Sequence, residues 1–468
     1  MKFAALMRVL CLCLPTVALG ASASAQTYTE IVSFNGNSAA GPKTPLTQGL
    51  DGNLYGTTYY GGTGTCFDGE GIGCGVVYTI VNGKLGIVYD FQSSEFNYPG
   101  NSLLLAEDGN FYGTATSGQG AIFKITPTGT LSTLYQFIES SEGVDPRGSL
   151  IQAADGNFYG TTEYGGASSA FCPSGCGTVF KLTPKGVLST VYSFCPQNYC
   201  PDGEYPIGSL VQGTDGNFYG TTLGGGLYKT GTIFRVSPQG VFKLLYTFPE
   251  SVNSVAPGLI LGTDGNFYGA TYYYGYGITR SGVFTELSGV GDGTLPYSLI
   301  QGNDGNLYGT TRYGGGSGLG VIFEMPTHGT SSNDLYDFSG YPSDGSYPFA
   351  GLMQATNGTF YGTTYSGGSS PCNFDGAGCG TVFSYDAGLA PFVALVRGMA
   401  KVGQTFIVLG QGFTGATSVS LNGIPATFTV KSDTALIVTV PAGATSGYVT
   451  VATPSGTLTS NALFYVLP

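Results

Sequence analysis

The sequence predicts an all-β chain: a seven-bladed β-propeller followed by a small β-sandwich. Three observations carry this expectation. One phrase, Asp51-Gly52-Asn53-Leu54-Tyr55-Gly56-Thr57-Thr58, returns nearly unchanged from Asp108, Asp155, Asp215, Asp264, Asp304 and Asn357. The six steps average about 51 residues, the spacing of propeller or solenoid repeats. Each repeat holds four short strand-like runs, the pattern of a propeller blade. Finally, composition changes at Pro391, where Gly and Tyr thin out and Val, Thr and Ala take over.

In chain order, the first element is a leader. Lys2 and Arg8 precede an apolar run that ends at Ala23-Ser24-Ala25. This reads as a signal peptide over residues 1–25, cleaved near Ala25, which predicts a secreted, periplasmic or cell-surface protein. No later stretch is long and apolar enough to span a bilayer. Removing the two leader cations takes the formal net charge of −12 to −14, and only 9 % of residues are charged. An acidic, sparsely charged chain lacks the basic stripes that nucleic acid requires.

Residues 26–388 form the predicted propeller. Asp-Gly-Asn is a tight hairpin turn, in which Gly supplies positive φ and the Asx side chains bond their own backbone. The Phe/Leu-Tyr-Gly-Thr-Thr that follows reads as a strand, its Gly suggesting close approach by a neighbouring sheet. One Asp per repeat is too few for a calcium loop. Repeat three shows the four runs at residues 149–152, 157–162, 177–182 and 188–194. The fourth run usually ends in Tyr-x-Phe, and in repeat five it is degenerate. The last repeat stops after its third run, whereas residues 29–34 form an orphan run of the fourth type. That run is expected to complete the last blade and remove a free edge.

The short turns (Asp-Gly-Asn and Thr-Pro-x-Gly) fall on one face of such a ring. The long, variable loops fall on the other, where binding usually resides. The eight cysteines beyond the leader lie in those loops as close pairs: Cys66/Cys74, Cys172/Cys176, Cys195/Cys200 and Cys372/Cys379. An even count in an exported chain reads as disulfides, and the local spacing favours bridges within loops. Zinc is disfavoured because the paired ligands would have to converge from separate repeats. No metal and no cofactor are expected.

The single histidine, His328, aligns with a variable turn position on the short-turn face, which argues against Ser-His-Asp or Cys-His catalysis. Carboxylate chemistry is the remaining catalytic option. Asp68, Glu70, Glu142, Asp145, Glu163, Asp202, Glu204, Asp344 and Asp375 map to the loop face, mostly as expected solvated loop residues. A glycosidase would need two of them about 5–9 Å apart. Tyr59, Tyr60, Tyr164, Tyr272, Tyr273, Tyr274, Tyr313 and Tyr365 follow the Gly-Thr-Thr strands on that face. Tyrosine presents a flat apolar plate with a hydroxyl handle, suited to sugars and protein interfaces. Packing between blades or beneath loops is the competing role.

Residues 391–468 alternate as short strands of a sandwich. Gly410-x-Gly412-Phe413, Asn422-Gly423 and Val440-Pro441-x-Gly443-Ala444 resemble the IPT/TIG family of immunoglobulin-like domains, which implies an immunoglobulin-like β-sandwich acting as a spacer or interaction module without catalytic residues. Its usual Ser-Pro-x-x-Gly lead-in is missing at residues 394–400, leaving the first strand undefined. The repeats resemble the GloVer tandem-repeat family of exported bacterial proteins, through Asp-Gly-Asn-Phe-Tyr-Gly-Thr-Thr with a downstream Gly-Gly and Gly-Thr-Val-Phe, as over residues 155–180. That resemblance implies no established activity. The phrase is also similar to the Asp-Gly-x-Leu-Trp-x-Gly-Thr of ligand-sensing propeller repeats in two-component regulators, with Tyr here for Trp. The sequence therefore predicts a non-enzymatic binding or adhesion protein that contacts polysaccharide or an extracellular protein through the loop-bearing face. The competing classes are a polysaccharide-cleaving hydrolase or lyase acting there and a structural surface component.

Overall fold

A computed structural model describes residues 26–467, apart from 67–72, 94–95, 97, 139, 169, 253–254, 292, 330 and 373–376. The expected leader and the carboxylates Asp68, Glu70 and Asp375 lie outside the described residues. Among the described residues every regular element is a strand, and no helix is long and apolar enough to cross a membrane.

Among the described residues, seven four-stranded antiparallel sheets account for the repeats. The third is made of Ile151–Gln152, Phe158–Thr162, Thr178–Leu182 and Leu188–Ser193. Its second strand is buried along its whole length and its third nearly so, whereas the fourth is largely exposed or half-buried. The inner strands therefore read as unbroken apolar runs, because both faces of the sheet are covered by neighbouring sheets. The Asp-Gly-Asn turn works as the sequence implies, with an addition. In six repeats the Asp Oδ1 accepts the Asn N–H two residues on, at 3.0–3.2 Å. The Oδ2 of the same Asp accepts the strand Tyr hydroxyl at 2.7–3.0 Å. The repeated Tyr is thus tied to its own turn while its ring packs on the next sheet's Phe, with centroids 4.0–4.4 Å apart in five junctions.

The strand glycine has a different cause from the one expected. A Cβ on Gly160 would sit 2.6 Å from the Phe180 ring and 3.1 Å from Leu150. Both belong to the same sheet, so the glycine makes room for an aromatic ring on the adjacent strand rather than for a neighbouring sheet. Repeat five also differs: Phe284–Gly289 is a regular fourth strand paired with Tyr274–Ile278. Tyr274 is therefore a strand residue, not a loop residue.

Glutamines staple the sheets into a ring. The Gln152 Oε1 accepts the Glu107 N–H of the preceding repeat at 2.9 Å, while its Nε2 donates to the Gly156 carbonyl of its own turn at 3.3 Å. Gln212, Gln301 and Gln354 reach back in the same way to Ala154, Thr263 and Asn303. Gln48 of the first repeat accepts the Thr356 N–H of the last at 3.0 Å, which joins the two ends. The last sheet takes its outer strand from Thr27–Ser33, antiparallel to Thr381–Asp386. A strand supplied from the far end of the chain covers an edge that would otherwise be open to another molecule.

The C-terminal segment packs two four-stranded sheets around Phe406, Phe413, Leu436 and Phe464. Its first strand is split: Ala394–Leu395 pairs with Thr405–Leu409, and Met399–Lys401 runs parallel to Tyr465–Leu467. This sandwich sits on the Asp-Gly-Asn face. Ile407, Leu409 and Ala435 join one apolar cluster with Tyr55, Leu105 and Phe111. The hydroxyls of Ser432 and Thr434 donate to the Leu50 carbonyl at 2.8 and 2.7 Å. Arg397 pairs with Glu107 at 2.8 Å. The short-turn face is thus a seat and not the bland surface that its short turns suggest.

Candidate functional site

With one end of the ring carrying the sandwich, the other end holds the candidate site. Each link between repeats enters its inner strand through a proline, whose fixed φ and missing N–H suit a tight passage over the previous sheet. Pro42, Pro99, Pro146, Pro206 and Pro348 press on the glycine that opens the preceding repeat's third strand: Gly380, Gly75, Gly120, Gly177 and Gly320. These glycines have φ of +86° to +104°, where any side chain would be strained. The residue before the proline is left-handed as well. Tyr98, Asp145, Tyr205 and Tyr347 have φ of 53–60°, and only Gly41 is a glycine. Such backbone costs about 1–3 kcal/mol per residue and gathers at functional sites.

The residue after the proline points to the mouth of the ring. Lys43, Gly100, Arg147, Ile207, Tyr297 and Phe349 all line a cavity of about 400 Å³, together with Tyr59, Asn101, Ser149, Ser209, Pro257 and Ser298. All seven repeats contribute. The Lys43 ammonium lies 4.2, 5.0 and 5.9 Å from the ring centres of Tyr59, Tyr365 and Tyr60. Among the described residues it has no ion-pair partner. Burial, and then the nearby Arg147 and Arg312, hold its pKa below the usual lysine range. The Arg312 guanidinium stacks 4.2 Å from the Phe349 ring centre and 4.9 Å from that of Tyr313, and its Nε is buried without a hydrogen-bond partner. Arg147 is different: its Nε contacts Asp145 at 2.9 Å and Glu163 at 2.6 Å. Burial raises the Glu163 pKa against the pull of Arg147.

The tyrosines expected to bind fall into three groups. Tyr59, Tyr60 and Tyr365 surround Lys43, and Tyr59 forms cavity wall. Tyr313 holds Arg312. Tyr164 pairs with Tyr205 beside a smaller, separate pocket at the Cys172–Cys176 loop. Tyr272 and Tyr273 meet edge to face, with centres 4.6 Å apart, and neither lines the mouth. Packing between repeats is real too: Tyr59 stacks on Tyr98 of the next repeat at 4.7 Å, and Tyr313 meets Tyr347 at 5.8 Å. Lys43, Arg147, Arg312, Tyr297 and Phe349 were not singled out in the sequence. Their signal is the Pro-x step of each link, and for Arg312 the position directly after Gly-Thr-Thr.

The loop-face carboxylates are mostly not solvated, contrary to expectation. Asp202 is buried and accepts the Tyr192 hydroxyl and the Cys195 N–H. Asp344, also buried, takes the Tyr336 hydroxyl and the N–H groups of Ser339 and Gly340. Glu142 accepts the Tyr135 hydroxyl. They hold loops in shape. His328 is exposed.

All four cysteine pairs are disulfides, joining Cys66 to Cys74, Cys172 to Cys176, Cys195 to Cys200 and Cys372 to Cys379. All eight lie between strands, in the loops and the link where the sequence places them, and all eight are buried. Cys74 and Cys379 stand at the end of their loops, directly before the glycine that leads into the third strand, Gly75 or Gly380. Cys74 packs in one apolar cluster with Val77 and Phe91, and Cys379 in another with Phe34 and Val382. Their carbonyls accept the Tyr98 N–H at 3.2 Å and the Gly41 N–H at 2.9 Å, from the link that precedes the next repeat. Cys74 and Cys379 therefore tie each loop to the sheet beneath it and offer a ligand no surface. The argument that pairs converge only from separate repeats also fails for one set. Cys172, Cys176, Cys195 and Cys200 all belong to repeat three, and their sulfurs lie within 4.8 Å of one another. In the bridged state those sulfurs offer no thiolates to a metal.

The repeat geometry agrees with the sequence comparison, in which the Gloeobacter/Verrucomicrobia repeat profile matches residues 63–285 and 276–408. The chain belongs to the Gloeobacter/Verrucomicrobia repeat family. The IPT/TIG domain profile matches residues 395–466. Among solved structures, this Gloeobacter/Verrucomicrobia repeat chain is similar to streptogramin B lyase, at 14 % identity and a TM-score of 0.54 over 77 % of this chain and 97 % of that one. Virginiamycin B lyase from Staphylococcus aureus gives 14 % identity and 0.53 over 77 % and 99 %. The extracellular domain of a one-component system from B. thetaiotaomicron gives 11 % identity and 0.51 over 95 % of this chain and 58 % of that one. At these identities the likeness establishes the β-propeller fold. A search of curated protein sequences returns no match.

Proposed function

We propose that the chain is an exported, non-enzymatic binding protein that takes a short saccharide segment into the mouth of the propeller. The observation that carries this reading is the lining of the mouth: the aromatic Tyr59, Tyr297 and Phe349 and the polar Asn101, Ser149, Ser209 and Ser298 share one concave site. Flat rings suit the apolar faces of sugars, and small polar side chains suit their hydroxyls. A cavity of about 400 Å³ fits a small ligand rather than a protein surface. Asp202 and Asp344 hold loops, and Asp145 and Glu163 engage Arg147, which supports binding over carboxylate-driven cleavage. The leader over residues 1–25 and the four disulfides support export. The division into a ring over residues 26–388 and a sandwich over 391–468 makes the sandwich a spacer seated behind the site.

The test is incubation of the mature protein with a polysaccharide panel, following protein depletion and released oligosaccharides in the same tubes. Depletion without products is the expected result. New oligosaccharides would overturn the non-enzymatic reading, and depletion unchanged by Phe349→Ala would move the site away from the mouth.

A further inference from the structure

Two cations, Lys43 and Arg147, line the mouth of a chain whose formal net charge is −12, and a third, Arg312, packs against the Phe349 ring of its wall. Two carboxylates already occupy Arg147. Lys43 and Arg312 have no carboxylate partner among the described residues. Lys43 faces three tyrosine rings, and Arg312 is sandwiched against Phe349 and Tyr313 with a buried Nε donor unused. A buried donor without an acceptor is uncommon and carries a desolvation penalty that a ligand oxygen would relieve. Removing two cations from bulk water without an anion is likewise unfavourable. The rings offset part of this for Lys43, since ring faces attract an ammonium, but they supply no hydrogen-bond acceptor in the plane of a carboxylate.

We propose that the ligand is an acidic saccharide, whose carboxylate or sulfate group is held between Lys43 and Arg312 while its sugar ring lies on the aromatic wall. This rests on the saccharide reading above. The placement of the two cations suits it. Lys43 stands at the Tyr59–Tyr365 side, and Arg312 at the Phe349 side, and Phe349 and Tyr365 are themselves in contact, with ring centres 5.1 Å apart. The cations and the aromatic plates thus form one continuous patch. The carboxylates at Arg147 give that side of the mouth the opposite character: Asp145 and Glu163 would repel a second acidic group. The site therefore favours one anionic group at one end of the ligand over a uniformly polyanionic chain. The acidic remainder of the molecule adds to this selectivity, because an anion is repelled everywhere except where local cations dominate, and the attraction is screened by salt.

The experiment measures binding of the full mature chain to three probes at fixed ionic strength: trigalacturonate, the neutral galactose trisaccharide and inorganic sulfate. Wild type and Lys43→Met are compared, with Arg312→Gln as the second variant in case the first fails to fold. Expected are at least about tenfold tighter binding of the acidic than of the neutral trisaccharide, loss of that preference in either variant, and its collapse at high salt. Equal binding of the two trisaccharides overturns the acidic-ligand inference and leaves the saccharide reading standing. Sulfate binding as tight as that of trigalacturonate, abolished by the variants, keeps an anion site but overturns the saccharide. No binding of any probe overturns both.

Discussion

Asp155 holds its turn with a single carboxylate. Its Oδ1 accepts the Asn157 N–H, and its Oδ2 is shared by the Asn157 amide, the Tyr159 hydroxyl and the Lys181 ammonium. Burial, the largest single influence, acts to raise its pKa, but these donors together outweigh it and leave it lowered; Asp108, Asp215 and Asp264 behave alike. The sign follows. A carboxyl with a folded pKa below its unfolded value of about 3.9 stabilises the fold above that value and loses the contribution as pH falls through the folded pKa. Stability should therefore be flat from neutral pH to about pH 5 and fall steeply below about pH 4, as followed by circular dichroism. Asp155→Ala should lower stability by about 1–2 kcal/mol and flatten the acid limb slightly. Asn357 serves as natural precedent, since the last repeat carries an amide at this position. It bonds the Thr359 N–H and the Tyr361 hydroxyl without a charge.

At the scale of elements, glycine and glutamine fix how sheets meet. A Cβ on Gly177 would lie 2.3 Å from the Thr162 carbonyl and 2.6 Å from Pro206 Cδ, at φ +97°. Gly177→Ala should thus destabilise by about 1–3 kcal/mol in denaturant unfolding, from backbone strain before any clash is counted. Gln212→Leu keeps the volume and removes the staple to Ala154; about 1 kcal/mol is expected. Removing Thr27–Ser33 uncovers Thr381–Asp386 along its length. The truncated chain should be less stable and associate at micromolar concentration in sedimentation, as uncovered strand edges do. The turns, the four-strand rhythm and the orphan run near the N-terminus were legible because each depends on local residue types repeated at one register. The fourth strand of repeat five was not: Phe284–Gly289 lacks the Tyr-x-Phe ending, yet backbone pairing to Tyr274–Ile278 still makes it a strand. The cysteine pairs and their loops were legible from spacing, but the burial of all eight was not, because spacing carries no record of how deeply a loop packs.

In the molecule as a whole, the ring has a closed back and an open front. The sandwich covers the Asp-Gly-Asn face through Arg397, which is almost fully buried and paired with Glu107. Arg397→Ala would strand the Glu107 carboxylate beneath the sandwich; a loss of about 3 kcal/mol is expected, with earlier proteolysis between the two parts. Neither this seat nor the mouth could be read from the repeat. Ile407, Leu409 and Leu50 meet only after two separately patterned surfaces dock. The mouth uses the position after the link proline, which carries a different residue in six of the repeats: Lys43, Gly100, Arg147, Ile207, Tyr297 and Phe349. A search for what recurs overlooks a site built from what varies.

The most direct test of the account is calorimetric titration of a saccharide that depletes the wild-type chain, repeated with Phe349→Ala in the mouth and His328→Ala at an exposed turn. The account predicts at least about tenfold weaker binding for Phe349→Ala and no change for His328→Ala beyond error. Equal affinities for wild type and Phe349→Ala would contradict it, because the ligand would then bind somewhere other than the mouth that all seven repeats build.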